Sequence, residues 1–401
     1  MVDIYGQMGL SLKVGNTPET QFVLPLNPSL IDEITIIQNN LIKVPIIQMI
    51  INEDKRLQEN IGLFGDGSKF SVDMHIGGII SDEVLRSHPF RVYSLPEQYI
   101  TNAGLKIKIL GYLDIPKYFR KRYDTVIEGN SFEVIQELAK DNNMGVEATE
   151  TDDRQYWLPD GRSQADYARY VTNHGWAGDT SCMELAVTQI PTTVSQQDTQ
   201  GLPWMIRYLD ITEKMKGPVD GVFINSPSGN INVPSFYMMD VNIKNHCGFF
   251  NHWLGYGDRM GQEELDGSYK EYDKVTIEKI SKHLSLNREL KNELGVVRRE
   301  VSPINCGNTH NHYIQARYQN RRIKSQYATV ADVLVMQYTP FRVFDKVEMY
   351  LDVPHTNSQS AIFRGVYIVT AKTTIIRGEH YREKFELSGQ GSNEDIEGIW
   401  T

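Results

Sequence analysis

The sequence predicts an α+β chain, mainly β, on three observations. Runs of β-branched residues and period-two alternation fill both ends, turn residues punctuate them, and strong amphipathic helical spacing is concentrated in one central stretch. The 401 residues include 31 Gly, 16 Pro and 21 Tyr. That composition suits sheets joined by turns, because aromatic rings favour pleated, half-buried surfaces. At about 150 residues per domain, two to four domains are expected.

In the first third, Gln21 to Leu26 reads as a short strand closed by Asn27-Pro28. Ile31 to Ile37 and Val44 to Ile51 are β-branched runs separated by Gln38-Asn39-Asn40. Such continuous runs predict strands covered on both faces or a buried helix, and β-branching with turn-rich flanks favours the strands. Phe70 to Ile76 and Leu105 to Leu110 alternate apolar and polar residues, with Lys106 and Lys108 outward, as half-buried strands do. Residues 1–118 are therefore expected to form one β domain.

Helical spacing then takes over. Phe132, Val134, Ile135, Leu138 and Ala139 form one stripe behind Ser131, a suitable N-cap, with Glu133 in the first turn. Asn142-Asn143-Met144-Gly145 tolerates left-handed backbone and ends that helix. A second helix is expected from Ser163, with Asp166 three residues later as an acidic variant of the capping box. It carries Ala165, Tyr167, Ala168 and Val171 and stops near Asn173-His174-Gly175. Between the helices, Tyr156-Trp157-Leu158 is a strand end and Pro159-Asp160-Gly161 a turn. Residues 119–200 thus read as a small α+β insert domain, with Gln196 to Gly201 as a linker.

Residues 201–330 read as a mixed region. Trp204 to Leu209, Val219 to Ile224 and Ser235 to Ile243 are strand candidates, Val275 to Leu294 has helical spacing, and Tyr313 to Gln326 is polar and helical. Residues 331–401 give the cleanest pattern. Ala331 to Tyr338, Phe341 to Leu351, Ile362 to Ala371 and Tyr381 to Leu387 predict a four-stranded meander, with turns at Asn357-Ser358-Gln359 and Arg377-Gly378-Glu379. Val347, Met349 and Leu351 should face a core, Glu348 and Tyr350 water.

The formal net charge of −10 argues against a general nucleic-acid binder, which needs a basic face for phosphates. Arg120-Lys121-Arg122 and Arg321-Arg322 are short and read as solvated faces. Cys182, Cys247 and Cys306 match no disulfide framework, which fits folding in a reducing cytoplasm. The first residues carry neither a basic nor an apolar signal region, and no run of about eighteen apolar residues predicts a membrane span.

Three clusters invite a chemical reading. His246, Cys247, His252, Cys306, His310 and His312 are zinc-competent residue types, but without CxxC or HExxH spacing. They read better as loop and interface residues, so no metal is expected. Phe64 to Lys69 mimics a phosphate loop, yet lacks its first glycine and precedes a strand, so a hairpin turn is expected. Glu263, Glu264, Asp266, Glu271 and Asp273 are acidic neighbours, and paired carboxylates are what glycoside hydrolysis needs. No apolar pocket flanks them to raise one pKa. A GxSxG elbow is absent as well. Neither a catalytic nor a cofactor-binding residue is assigned.

Two segments carry a resemblance. Ser131 to Ala139, Met144-Gly145-Val146 and Ser163 to Gly175 are similar to an insert domain. Phe341 to Tyr350, Phe363 to Val369 and Tyr381 to Leu387 look like the closing strands of a tube-like barrel, and Asn311-His312-Tyr313 with Gln319-Asn320 fits the same pattern. The family that these segments resemble is the baseplate hub proteins of contractile-tailed bacteriophages, related to the N-terminal part of VgrG-type spikes. The match is one of pattern and order and covers roughly half of the chain.

The resemblance implies two tail-tube-like β barrels per chain, one in 1–118 and one closing in 331–401, around the α+β insert. It implies a homotrimer whose six barrels meet the hexameric tail tube on one side and the trimeric central spike on the other. Such a symmetry adaptor lines the DNA channel without binding DNA specifically and contacts other baseplate wedge proteins. It has no cofactor and is not an enzyme. Its place is the virion tail baseplate, after synthesis in the host cytoplasm. Since the sequence reaches Thr401 without a β-helical repeat, the spike is expected to be a separate polypeptide. Two alternatives stand beside it: a tail-associated cell-wall hydrolase using Glu263, Glu264 and Asp266, and a receptor-binding tail module suggested by the Tyr and Trp content.

Overall fold

The computed structural model describes residues 9–14, 22–25, 31–53, 68–75, 84–101, 104–190, 204–225, 235–245, 259–263, 269–272, 299–302, 309–310, 312–313, 316–317, 319–320, 329–351, 365–377 and 380–389. They form an α+β, mainly β, structure, as the sequence pattern predicts. The N-terminal part consists of β1 (Gly9–Val14), β2 (Phe22–Pro25), β3 (Ile31–Asn39), β4 (Ile46–Glu53), β5 (Lys69–His75), β6 (Val84–Thr101) and β7 (Gly104–Leu113). They pair antiparallel in the order β3-β4-β7-β6-β5-β1-β2. Alternate residues Ile34, Ile36, Ile47, Met49, Val72, Phe90, Ile107 and Ile109 fill one core. The expectation that β3 and β4 are covered on both faces is corrected. Ile37, Ile46 and Ile50 point the other way and are only half-buried, because just part of that face lies under the insert.

The insert contains α1 (Pro116–Arg120), β8 (Ile127–Gly129), α2 (Ser131–Asp141), β9 (Gly145–Ala148), β10 (Gln155–Trp157), α3 (Gln164–His174), β11 (Met183–Gln189), β12 (Trp204–Asp210) and α4 (Ile211–Lys216). β8 and β10 form a ribbon, and β12 lies between antiparallel β11 and parallel β9. This three-stranded sheet spans position 200, where the sequence reading places a domain join. The helices pack Val134, Leu138, Tyr167 and Val171 onto Met183, Ile206 and Tyr208. The cap of α2 lies one residue earlier than expected. The Asn130 side chain accepts the Glu133 amide at 2.8 Å, and the Glu133 carboxylate accepts the Asn130 amide at 3.0 Å, a complete capping box. Ser163 caps α3 as predicted, accepting from the Asp166 amide at 3.2 Å. The expected turns take left-handed backbone at Asn143 (φ 51°), Asp160 (φ 51°) and Gly161 (φ 63°).

The remaining strands are β13 (Gly221–Ile224), β14 (Ser235–Tyr237), β15 (Asp240–Asn245), β16 (Arg259–Glu263), β17 (Tyr269–Tyr272), β18 (Arg299–Ser302), β19 (Thr329–Val335), β20 (Lys346–Tyr350), β21 (Gly365–Arg377) and β22 (His380–Gly389). β17-β16-β18 is a separate small sheet. The others run in the order β15-β19-β22-β21-β20-β13-β14. The Met238 amide donates to the Ile224 carbonyl at 2.8 Å and the Met239 amide to the Leu334 carbonyl at 2.7 Å. The bend between β14 and β15 thus ties the two ends of this row together around Phe223, Val333, Val347, Met349, Val369, Phe385 and Leu387.

The predicted four-stranded meander is corrected to three strands, β20-β21-β22, with β19 beside β22 instead of β20. The reason is polar anchoring of the chain after β19. The Thr339 amide and hydroxyl both donate to the Glu383 carboxylate, and the Lys372 ammonium donates to the Thr339 and Phe341 carbonyls. These bonds carry the chain across β21 and β22 before β20 begins. β21 serves both halves: Gly365 to Ile368 pairs with β20, Ala371 to Ile376 with β3, and the register shifts between them. The Val275 to Leu294 segment and the Phe64 to Gly67 part of the phosphate-loop mimic lie outside the described residues. Tyr313, Ala316, Arg317, Gln319 and Asn320 are helical, as expected.

Candidate functional site

The most elaborate polar construction is the seam joining the insert to the chain before β20. All seven residues of β12 are buried, and Arg207 is among them with 0 % exposure. Its Nη2 and Nε donate to the two Glu147 oxygens at 2.8 and 3.0 Å, and its Nη1 to Asp345 at 2.8 Å and to the Val343 carbonyl. Arg342 donates to the same Glu147 at 2.9 Å. Burial alone would raise the Glu147 carboxyl, but the Arg207 and Arg342 guanidiniums overcome it and hold it below the usual carboxylate range. Phe344, beside this cluster, has φ 76°, a conformation a bulky residue keeps only where its surroundings enforce it. Here the surroundings are Val343, Cys182, Leu209, Ile211 and Ile368.

Further contacts fix the insert on its other sides. Gln38 of β3 accepts from the Thr188 hydroxyl at 3.0 Å and the Gln189 amide at 3.2 Å. Lys43 pairs with Asp166 at 2.7 Å. Lys346 donates to the Met215 and Gly217 carbonyls at the end of α4. In the C-terminal row of strands, Lys372 and Glu383 pair at 2.9 Å while both are buried. Fixed protein partners engage all these charges, an arrangement that sets relative orientation.

The residues that sequence reasoning weighed as ligands are put to similar use where they can be described. His310 sits with Nε2 at 2.9 Å from the His174 carbonyl, and the His312 ring lies parallel to Trp176 at 4.3 Å. Among the described residues, no three metal-ligating side chains converge. His246, Cys247, His252 and Cys306 lie outside the described residues. Of the acidic cluster, Glu263 ends β16 and Glu271 lies in β17 opposite Gly261, whereas Glu264, Asp266 and Asp273 lie outside the described residues. Sequence reasoning missed Arg207, Glu147, Asp345 and the Lys372–Glu383 pair. The available signal was a single charge inside an apolar run, as in Met205-Ile206-Arg207-Tyr208-Leu209.

Two surface features complete the picture. A cleft of about 810 Å³ beside α2 is lined by both signs of charge, including Lys121, Arg122, Lys140, Glu133, Glu137 and Asp141. Val126, Tyr156 and Leu158 lie about half exposed on or beside the β8–β10 ribbon.

No known family profile matches the chain, and no curated protein sequence does. Solved structures do match in fold. The tail protein from Neisseria meningitidis MC58 superposes with a TM-score of 0.53 at 8% identity, over 95% of this chain and 96% of that one. The 43 kDa tail protein of prophage MuSo2 from Shewanella oneidensis gives 0.55 at 10% identity, over 95% and 98%. The chain therefore has the fold of these tail proteins along nearly its whole length, as the resemblance in its sequence implies.

Proposed function

We propose that the chain is a structural subunit of a phage tail baseplate: a hub that acts by geometry and binding, without catalysis. The observation that carries this reading is the fold correspondence with two tail proteins over about 95% of the chain, insert included. In this reading the hub is a homotrimer in which each chain contributes two tube-like barrels, so that three chains present six. That ring joins the hexameric tail tube to the trimeric central spike, touches the wedge proteins and lines the channel through which DNA passes. The net charge of −10 supports it, since an acidic lining repels phosphates and lets DNA slide. The row of strands tied at Met238 and Met239 supports the C-terminal barrel. The polar seam at Arg207 supports a rigid insert, which a symmetry adaptor needs to hold partners in register. Mass measurement of the purified chain, alone and with its spike, tests the proposal. A trimer is expected in at least one case, and a monomer inside assembled tails overturns it.

A further inference from the structure

The helical turn that carries His310, His312 and Tyr313 is fastened to the insert by rings. The Tyr313 ring stacks on His174 with centroids 4.0 Å apart and planes at 11°, and its hydroxyl lies 2.7 Å from that of Tyr170. The His312 ring stacks on Trp176 at 4.3 Å and 5°. Gln155 accepts the His310 amide at 3.1 Å. Further along, Gln319 donates to the Ser181 carbonyl at 2.8 Å, and Asn320 donates to the Thr172 carbonyl at 3.2 Å and accepts the Met183 amide at 3.1 Å.

The hydrogen bonds define the protonation state of His310 and place one proton on His174. The His310 Nε2 faces a carbonyl, which can only accept, so this nitrogen carries a proton. Its Nδ1 accepts the His312 amide at 3.2 Å, so this nitrogen carries none. A second proton on His310 would place two donors face to face. The His174 Nδ1 faces the Tyr170 carbonyl at 2.8 Å and is likewise a donor. His174 is 7% exposed, and an added charge on its ring would lie near Arg317 and Arg162. Among the described residues, His310 has Asp153, Asp152, His312 and the Tyr313 phenol as charged or titratable neighbours, besides His174. Asp153 is already engaged by the Ser131 amide and hydroxyl and by the Trp176 amide.

We propose that this turn is an acid-released strap: neutral His174 and His310 clamp it to the insert, and protonating them frees it. Burial agrees in direction, holding the His174 imidazole down at about 4 and the His310 imidazole below its ordinary value. The sign follows from linkage. Once free, each ring takes up a proton at about pH 6.5, whereas the clamped ring stays neutral to lower pH, so clamping weakens as pH falls through that window. For each imidazole that charges on release, the open population rises about tenfold per pH unit inside the window.

Limited proteolysis of the full chain over a pH series, with a protease active throughout and peptides mapped by mass spectrometry, tests this. Cleavage next to Tyr313 and Arg317 should rise steeply below about pH 6.5. The double variant H174F/H310Q, which keeps a ring and a donor–acceptor pair but cannot titrate in this range, should stay uncut. Flat cleavage in the parent chain, or an equally steep rise in the variant, overturns the proposal. If the variant does not fold by circular dichroism, histidine NMR of the parent chain decides instead. Cleavage must then track the titration of His174 and His310, and a midpoint unrelated to either refutes the strap.

Discussion

Arg207 sits between Ile206 and Tyr208 in a strand whose every residue is buried, and its charge is matched by Glu147 and Asp345. Such a pair adds little over a well-packed apolar replacement, but removing one partner strands the others. Arg207→Met is therefore expected to cost about 3–5 kcal/mol in chemical denaturation. The same logic applies to Lys372 and Glu383. Lys372→Met and Glu383→Leu should each destabilise strongly, and K372M/E383L should cost less than their sum, a non-additivity a double-mutant cycle detects. The double variant should stay well below the parent, because the Thr339 amide and the Phe341 carbonyl lose their partners. At this scale the sequence was informative about residue type and silent about partners. Glu147 and Asp345 lie 60 and 138 positions from Arg207, and no spacing rule links them.

At the scale of elements, periodicity located the two longer insert helices, α2 and α3, and most strands, but not the short α1 and α4, because amphipathic stripes and alternation are local properties that need several turns to show. Boundaries followed tertiary contacts. Ser131 and Asn130 are equally good caps by type. The choice fell to Asn130 because the buried Ser131 hydroxyl donates to Asp153 at 2.6 Å and its amide to the same carboxylate at 2.7 Å. Asn130→Ala should cost about 1 kcal/mol in thermal or chemical unfolding. Ser131→Ala should cost about 1–3 kcal/mol, since it leaves a buried carboxylate short of a donor. Gly175, which ends α3, would place an added Cβ 1.9 Å from the Tyr208 hydroxyl and 3.2 Å from that of Ser131. The Ser131 and Tyr208 hydroxyls lie 2.8 Å apart, so Gly175→Ala should force this contact apart and lower stability by about 1–3 kcal/mol, read as a shift in denaturation midpoint. The meander misreading has the same origin. Strand alternation is local, but the bonds that bring Thr339 to Glu383 and place β19 beside β22 are not.

For the whole molecule, the decisive test is assembly: three-fold particles in solution or with the spike support the hub reading, and monomers within tails defeat it. What the sequence determined by itself was the β-rich class, the place of α2 and α3 with the Ser163 cap, the left-handed turns and the resemblance to tail proteins, since each rests on local propensity and order along the chain. Tertiary structure alone decided the rest. It made β21 a strand of both halves, placed β12 in the insert sheet across position 200, and gave His310 and His312 packing partners on the insert. The physical reason is that pairing, burial and ion matching are settled between residues distant in sequence. Only the folded chain brings those partners within about 3 Å of one another.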